Sequence, residues 1–317
     1  MSTPIRSKSL RSAGAMIALV GGAALNSACG DDADAATVVS VLEAGEGETI
    51  TLPVPYAVGQ SASTSATFDT SLDLSGAGTD ETITFAFRLD LTSTVTEVDE
   101  DGGSVVTSTI DGVEWIERAE GVDDSIAEDV AGVTYAESFD VSGVSESREL
   151  VDDDELTADQ RPAAEEFIGQ SSVAFSFPGE PVAAGATWTS DTTVESNGME
   201  FPATYQYELV SLDAESYVID VTYDSPVDTE VDGTDVSGQI SGSGTITGAI
   251  DNPLEVDFEF EQDASISAAD GGESMDMQMT ITIDNQVTSS ASATAESPEP
   301  TSTETSTDTS TGTSTTG

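Results

Sequence analysis

The sequence predicts an all-β, mainly antiparallel fold: two related curved sheets, or half-barrels, joined by one short helix. Three observations predict it. Apolar and polar residues alternate at period two in several long runs rich in Val, Thr, Ile and aromatics, which gives each strand one dry and one wet face. Short Asp-Gly and Asn-Gly signals separate those runs, as hairpins require. A single segment with helical spacing lies between two stretches whose local sequences echo each other.

The strands come first. Phe85, Phe87, Leu89 and Leu91 alternate with Thr84, Ala86, Arg88 and Asp90. Tyr205, Tyr207 and Leu209 alternate with Gln206 and Glu208. Val256, Phe258 and Phe260 alternate with Glu255, Asp257, Glu259 and Glu261, and Met275, Met277, Met279, Ile281 and Ile283 do so with Ser274, Asp276, Gln278, Thr280 and Thr282. Turns are expected at Asp101-Gly102-Gly103, Asn197-Gly198, Asp232-Gly233 and Asp270-Gly271-Gly272.

The helix is expected over Leu156–Gly169. Thr157 caps it, acids at Asp152–Glu155 and Asp159 favour its positive end, and Gly169 ends it. Pro162 is tolerable only in the first turn. Ala163, Ala164, Phe167 and Ile168 form the buried stripe. On either side, Ala57-Val58-Gly59 preceding Ala66-Thr67-Phe68 echoes Ala183-Ala184-Gly185 preceding Ala186-Thr187-Trp188. Val95–Asp99 likewise echoes Leu209–Asp213. The expected organisation is a signal (1–28), an acidic tether (29–45), an N-terminal β half (46–150), a linking helix (151–170), a C-terminal β half (171–288) and a tail (289–317). The tail is Ser, Thr, Glu and Pro with almost nothing to bury, so it is expected to be disordered.

The N-terminal segment is basic and acid-free (Arg6, Lys8, Arg11) and is followed by a short apolar run to Leu25. That is the layout of an export signal, too short and glycine-rich for a permanent membrane helix. Leu25-Asn26-Ser27-Ala28-Cys29-Gly30 resembles the lipobox of bacterial lipoproteins, with Asn26 departing from the usual Leu. The resemblance implies lipid attachment at Cys29, the only cysteine of the chain. It also implies residence in the cell envelope. Gly30, rather than Asp, after the cysteine favours the outer membrane over the inner. A lone cysteine excludes an internal disulfide framework.

All 61 acidic residues follow Cys29, against Arg88, Arg118, Arg148 and Arg161, so the chain from Cys29 onward carries 4 − 61 = −57. Such a surface repels nucleic acid, and expected partners are the membrane through the anchor and an envelope lipid or protein. With no His, and no Lys after the signal, His-dependent triads, His-ligated zinc, Schiff-base lysines and P-loop chemistry are excluded. No cofactor is implied. Carboxylate pairs remain for a hydrolase, a third reading behind a noncatalytic binder of an apolar ligand and a structural or surface-display protein.

Two further constellations offer metal-ligand chemistry. Glu97, Asp99 and Asp101 with Gly102 space oxygens like the start of an EF-hand loop, but Ser108 stands where a bidentate Glu is needed, and a solvated hairpin tip is favoured. Met275, Met277 and Met279 suit a soft metal by chemistry. Their run continues into Ile281 and Ile283, which favours core, or the lining of an apolar pocket together with Trp188. Trp115, Tyr205 and Tyr207 are expected in the core.

The stretch Phe177-Pro178-Gly179-Glu180-Pro181-Val182-Ala183-Ala184-Gly185-Ala186-Thr187-Trp188 resembles a P-x-x-P-V-x-x-G-D-x-W signature, with Ala186 in place of the Asp. The signature belongs to an uncharacterised domain family of secreted and lipid-anchored bacterial proteins. The hairpin Val95–Gly102 and Gly242-Ser243-Gly244 extend the likeness. It implies fold and location, not activity.

Self-repulsion at −57 is screened by salt. The melting temperature is expected to rise steeply from dilute buffer to molar salt; a flat calorimetric response would contradict this.

Overall fold

The computed structural model describes residues 38–292, apart from 77–78, 120–129, 152–155, 158–159, 163, 166–174, 197–198, 232–233 and 271–272. The expected signal and Cys29, with the rest of residues 1–37, and residues 293–317 of the expected tail lie outside the described residues; Val38–Glu43 of the expected tether and Ser289–Ala291 of the expected tail are instead paired strand residues.

Period-two segregation organises the chain into strands: β1 (Val38–Glu43), β2 (Thr49–Thr51), β3 (Ser61–Gly76), β4 (Thr79–Val98), β5 (Ser104–Glu117), β6 (Thr134–Phe139), β7 (Ser145–Leu150), β8 (Pro181–Ala183), β9 (Thr187–Ser196), β10 (Met199–Leu212), β11 (Ser216–Val231), β12 (Thr234–Ala249), β13 (Val256–Asp270) and β14 (Glu273–Ala291). Every pairing is antiparallel, and the all-β expectation holds. Each predicted alternating run falls inside one strand. The two halves are hydrogen-bonded to each other, because β14 runs beside β3 from Met275↔Gly76 to Ala291↔Ser61. The result is one open twelve-stranded sheet, β1-β9-β10-β11-β12-β13-β14-β3-β4-β5-β6-β7, with β2-β8 as a separate pair.

The echo between the halves is structural. Gly59 N–H donates to Val95 O at 2.9 Å, and Gly185 N–H to Leu209 O at 2.7 Å. Gln60 N–H donates to Ala57 O, and Ala186 N–H to Ala183 O; Val95 and Leu209 then donate back to Gln60 O and Ala186 O. Both glycines have positive φ, 88° and 83°, which glycine adopts without a Cβ penalty. A bulge follows each partner, between Val95 and Glu97 and between Leu209 and Ser211. Both hairpins then close on an aspartate, Asp99 or Asp213, whose Oδ1 accepts two backbone N–H bonds. This pattern aligns Ala57–Gly59 with Ala183–Gly185 and Val95–Asp99 with Leu209–Asp213, as expected. It corrects the other part of the match: Ala186 corresponds to Gln60, so Ala66-Thr67-Phe68 is not the counterpart of Ala186-Thr187-Trp188.

Residues 160–162 and 164–165 are helical. Thr157 caps them, its Oγ1 accepting from Gln160 N–H at 3.2 Å while Gln160 Oε1 accepts from Thr157 N–H at 3.2 Å. This reciprocal box satisfies two donors at once. Ala164 is fully buried against Leu89, Ile110, Val130 and Val133. Ala163, Phe167, Ile168 and Gly169 lie outside the described residues.

Two larger clusters line the same face of the sheet. One joins Leu52, Val54, Val182 and Trp188 to Tyr207, Leu209, Tyr217, Ile219 and Ile246, under the β2-β8 pair. The other contains, among the described residues, strand residues alone, contributed by β10 through β14, β3 and β4. Strand β12 makes room for the large side chains of this face, since Gly242, Gly244 and Gly248 occupy inward positions in register with Val236, Ile240 and Ile246. A Cβ on Gly244 would stand 2.3 Å from Glu259 O, and one on Gly242 would stand 2.5 Å from the Tyr223 ring.

The chain enters the sheet from the end where β9-β10, β11-β12 and β13-β14 turn. Through the register Val38↔Asp191↔Thr204↔Asp224↔Ser241↔Asp263↔Thr280, Val38 stands level with Thr280. The chain leaves the sheet at the opposite end, with Ala291 beside Ser61.

Gly244→Ala is expected to cost about 1–3 kcal/mol through backbone collision. Gly112→Ala, whose new Cβ meets nothing within 4 Å, is expected to stay within about 0.5 kcal/mol of the parent. Urea midpoints of the two variants test this, and equal losses would contradict the role given to β12.

Candidate functional site

The inward positions align in transverse rows. One row runs Trp188↔Tyr207↔Val221↔Gly244↔Phe260↔Ile283↔Phe68↔Phe87↔Trp115, from β9 to β5. Its rings stack: Trp188 on Tyr207 at 5.2 Å, Phe68 on Phe87 at 4.7 Å, and Phe87 edge-on to Trp115 at 5.8 Å. Such pairs add stabilisation beyond the area they bury. The next row runs Ser190↔Tyr205↔Tyr223↔Gly242↔Gln262↔Ile281↔Thr70↔Phe85. There Tyr205 stacks on Tyr223 at 5.1 Å, and Tyr223 reaches Phe260 at 5.9 Å. Tyr205, Phe68, Phe85, Phe258 and Phe260 are only half-buried and border the apolar face.

Polar groups on this face separate into two kinds. Gln60 donates to Asp251 O at 2.8 Å and accepts from Ala57 N–H. Asn252 donates to Ser61 O, and Asn285 to Val256 O at 2.8 Å. These amides tie loops and strands together. Gln262 differs. It is fully buried, its Oε1 accepts from Tyr223 O–H, and its Nε2 has no partner among the described residues. The fully buried Ser190 Oγ is likewise unpartnered. Sequence reasoning missed Gln262, although its position was available: it continues the inward series Val256, Phe258, Phe260.

The predicted site residues distribute as follows. Met275, Met277 and Met279 are 5%, 0% and 4% exposed and lie in the strand-only cluster. Trp188 lies in the other cluster, under β2-β8, where its Nε1–H donates to Ser176 O at 2.9 Å. The two sets belong to different buried clusters, and the half-buried Tyr205, Phe258 and Phe260 pack against both. Glu97, Asp99 and Asp101 sit exposed on the β4-β5 hairpin. The Asp99 carboxylate is engaged by the N–H groups of Asp101 and Gly103, and the described residues contain no group of three or more metal-binding side chains. Cys29 lies outside the described residues.

The opposite face is acidic, and its carboxylates are held across strands by hydroxyls. Thr204 donates to Asp191, Thr245 to Asp220, Thr280 to Asp263 and Thr92 to Asp111, at 2.6–2.8 Å. Cations take part in few places. Arg88 bonds Glu114 on the exposed face, and Arg148 bonds Glu137 at 2.8 Å, both side chains 12% exposed.

The motif around Trp188 has a clear local logic. Pro181 and Val182 pair with Thr51 and Ile50, Val182 and Ala186 are fully buried, and Gly185 supplies the positive φ before β9. Residues 166–253, which include this motif and run through β12, match a family of unknown function, DUF6263. No curated protein matches the chain.

Burial raises the phenol pKa across the aromatic rows. Tyr205 and Tyr217 are pushed up to about 12 by desolvation, and Tyr207 and Tyr223 are raised further by the same cause. The folded state holds protons that an unfolded chain releases near pH 10. Stability is therefore complete below about pH 10 and declines as pH rises through about 12. Urea midpoints are expected to fall above pH 10, with tyrosinate absorbance appearing only as the strands unfold. Tyrosinate formation in a chain that stays folded at pH 11 would contradict the burial.

Proposed function

We propose that the protein is a lipid-anchored component of the bacterial cell envelope, without catalytic activity, whose sheet binds an apolar ligand such as a lipid. The observation that carries the ligand reading is the aromatic row from Trp188 to Trp115 on an open sheet. It continues across both halves, and half-buried rings border it. Small-molecule sites are characteristically apolar surfaces with a few polar groups to orient the ligand, and this face offers Gln262, Tyr223 and Thr70. The anchor is read from the signal and Cys29, and delivery to the outer membrane from Gly30.

A second reading, a structural or surface-display lipoprotein with no small ligand, is favoured by the complete burial of Met277 and Trp188. A carboxylate-based hydrolase ranks third, because the acids lie on the wet face and away from the aromatic rows.

Native mass spectrometry of protein extracted from its own membrane tests anchor and ligand together. The expected spectrum shows an acyl mass on Cys29 and a retained lipid. An acylated chain with no retained mass favours the structural reading. Cys29→Ser is expected to move the protein from the membrane fraction to the soluble one; an unchanged distribution would remove the anchor.

A further inference from the structure

We infer that Gln262 is the polar contact for a neutral acyl ester, its Nε2–H donating to the ester carbonyl oxygen of a lipid lying on the apolar face. This rests on the ligand-binding reading above and adds the chemistry of the recognised group. Gln262 is 0% exposed, and a donor left without a partner there keeps an unmet demand for an acceptor. The buried amides Gln60, Asn252 and Asn285 all donate to a backbone carbonyl, so the unpartnered amide is a local exception.

The surroundings aim the group. Gly242 lies between Tyr223 and Gln262 in the register, and the absence of a Cβ there lets the Tyr223 ring cross β12 to reach Oε1. That bond occupies the acceptor end of the amide and leaves the donor end. Ile281 and the buried Thr70 flank Gln262 on the other side.

The electrostatics select a neutral ligand. Arg88 is exposed and paired with Glu114, and Arg148 is paired with Glu137. A carboxylate brought to Gln262 would lose its hydration in a chain that carries −57 from Cys29 onward. An ester carbonyl needs one donor and carries no charge. Gln262 is sealed in the structure, so entry requires movement of half-buried rings bordering Tyr223, of which Tyr205 and Phe260 stack on it.

The test compares two probes of equal length on the full-length protein: monoolein, which carries the ester, and 1-O-oleyl glycerol, in which an ether replaces it. Calorimetric titration is expected to show the ester bound about 5–10-fold more tightly, the yield of one hydrogen bond. In Gln262→Met the ratio is expected to fall to about one, with ether affinity kept. Equal affinities in the parent would overturn the Gln262 assignment while leaving the ligand-binding reading standing. An unchanged preference in Gln262→Met would do the same and would reassign the amide to structure. If neither probe binds the parent, the ligand-binding reading fails and the ester site with it. Should the variant not fold, the infrared carbonyl stretch of carbon-13-labelled ester bound to the parent decides. A shift to lower frequency supports the bond, and a stretch like that in alkane refutes it.

Discussion

Charge segregation is the constraint on which everything else in this molecule depends. A chain with 61 acids and seven basic residues cannot neutralise itself by ion pairing. The long strands therefore turn their carboxylates to water, and strict alternation does this at no cost in backbone geometry. Glu137 on β6 is instead held by Arg148. A one-residue slip would send a row of aspartates inward, so the register is fixed by charge as firmly as by apolar burial. Threonine and serine complete the arrangement. They sit opposite the acids on neighbouring strands, as Thr280 does opposite Asp263, and supply donors where other proteins use lysine.

Once the acids are committed to one face, the other face must carry the whole apolar content of the sheet. Strand β12 makes room for it. Its inward glycines leave space that Tyr217, Tyr223 and Phe260 occupy from either side. The same space lets Tyr223 reach the buried amide of Gln262, so the packing of the large rings and the polar group within the apolar face have one origin.

Much of this was legible in the sequence. Period two located β4, β10, β13 and β14 because each has one wet face, and Thr157 was readable as a cap; β12 was not located, because its inward glycines break the apolar series. The correspondence of Val95–Asp99 with Leu209–Asp213 was readable because hairpin geometry demands a small set of residues. The union of the halves was not legible. Strands β14 and β3 pair residues as far apart in sequence as Ala291 and Ser61, and no local signal encodes which edges meet. The pairing of Ala66–Phe68 with Ala186–Trp188 misled because Ala-Thr-aromatic strings recur in any strand-rich sequence, whereas the bonds to Val95 and Leu209 depend on Gly59 and Gly185. The site was partly legible. Met277 and Trp188 were recognised as buried, but their separation into different clusters depends on strand order. Gln262 was hidden by attention to the apolar members of its own alternating run.

The positions of the chain ends have a mechanical consequence. Val38 is level with Thr280, so along the strand direction it lies 291 − 280 = 11 residues from Ala291, about 35 Å. Tension applied between the two flanks acts along the strands, and the ladder bonds lie across them. Such a load shears β1 against β9, and β14 against β13 and β3, with many bonds resisting together. A molecule whose two ends left from the same edge would instead be peeled open one bond at a time.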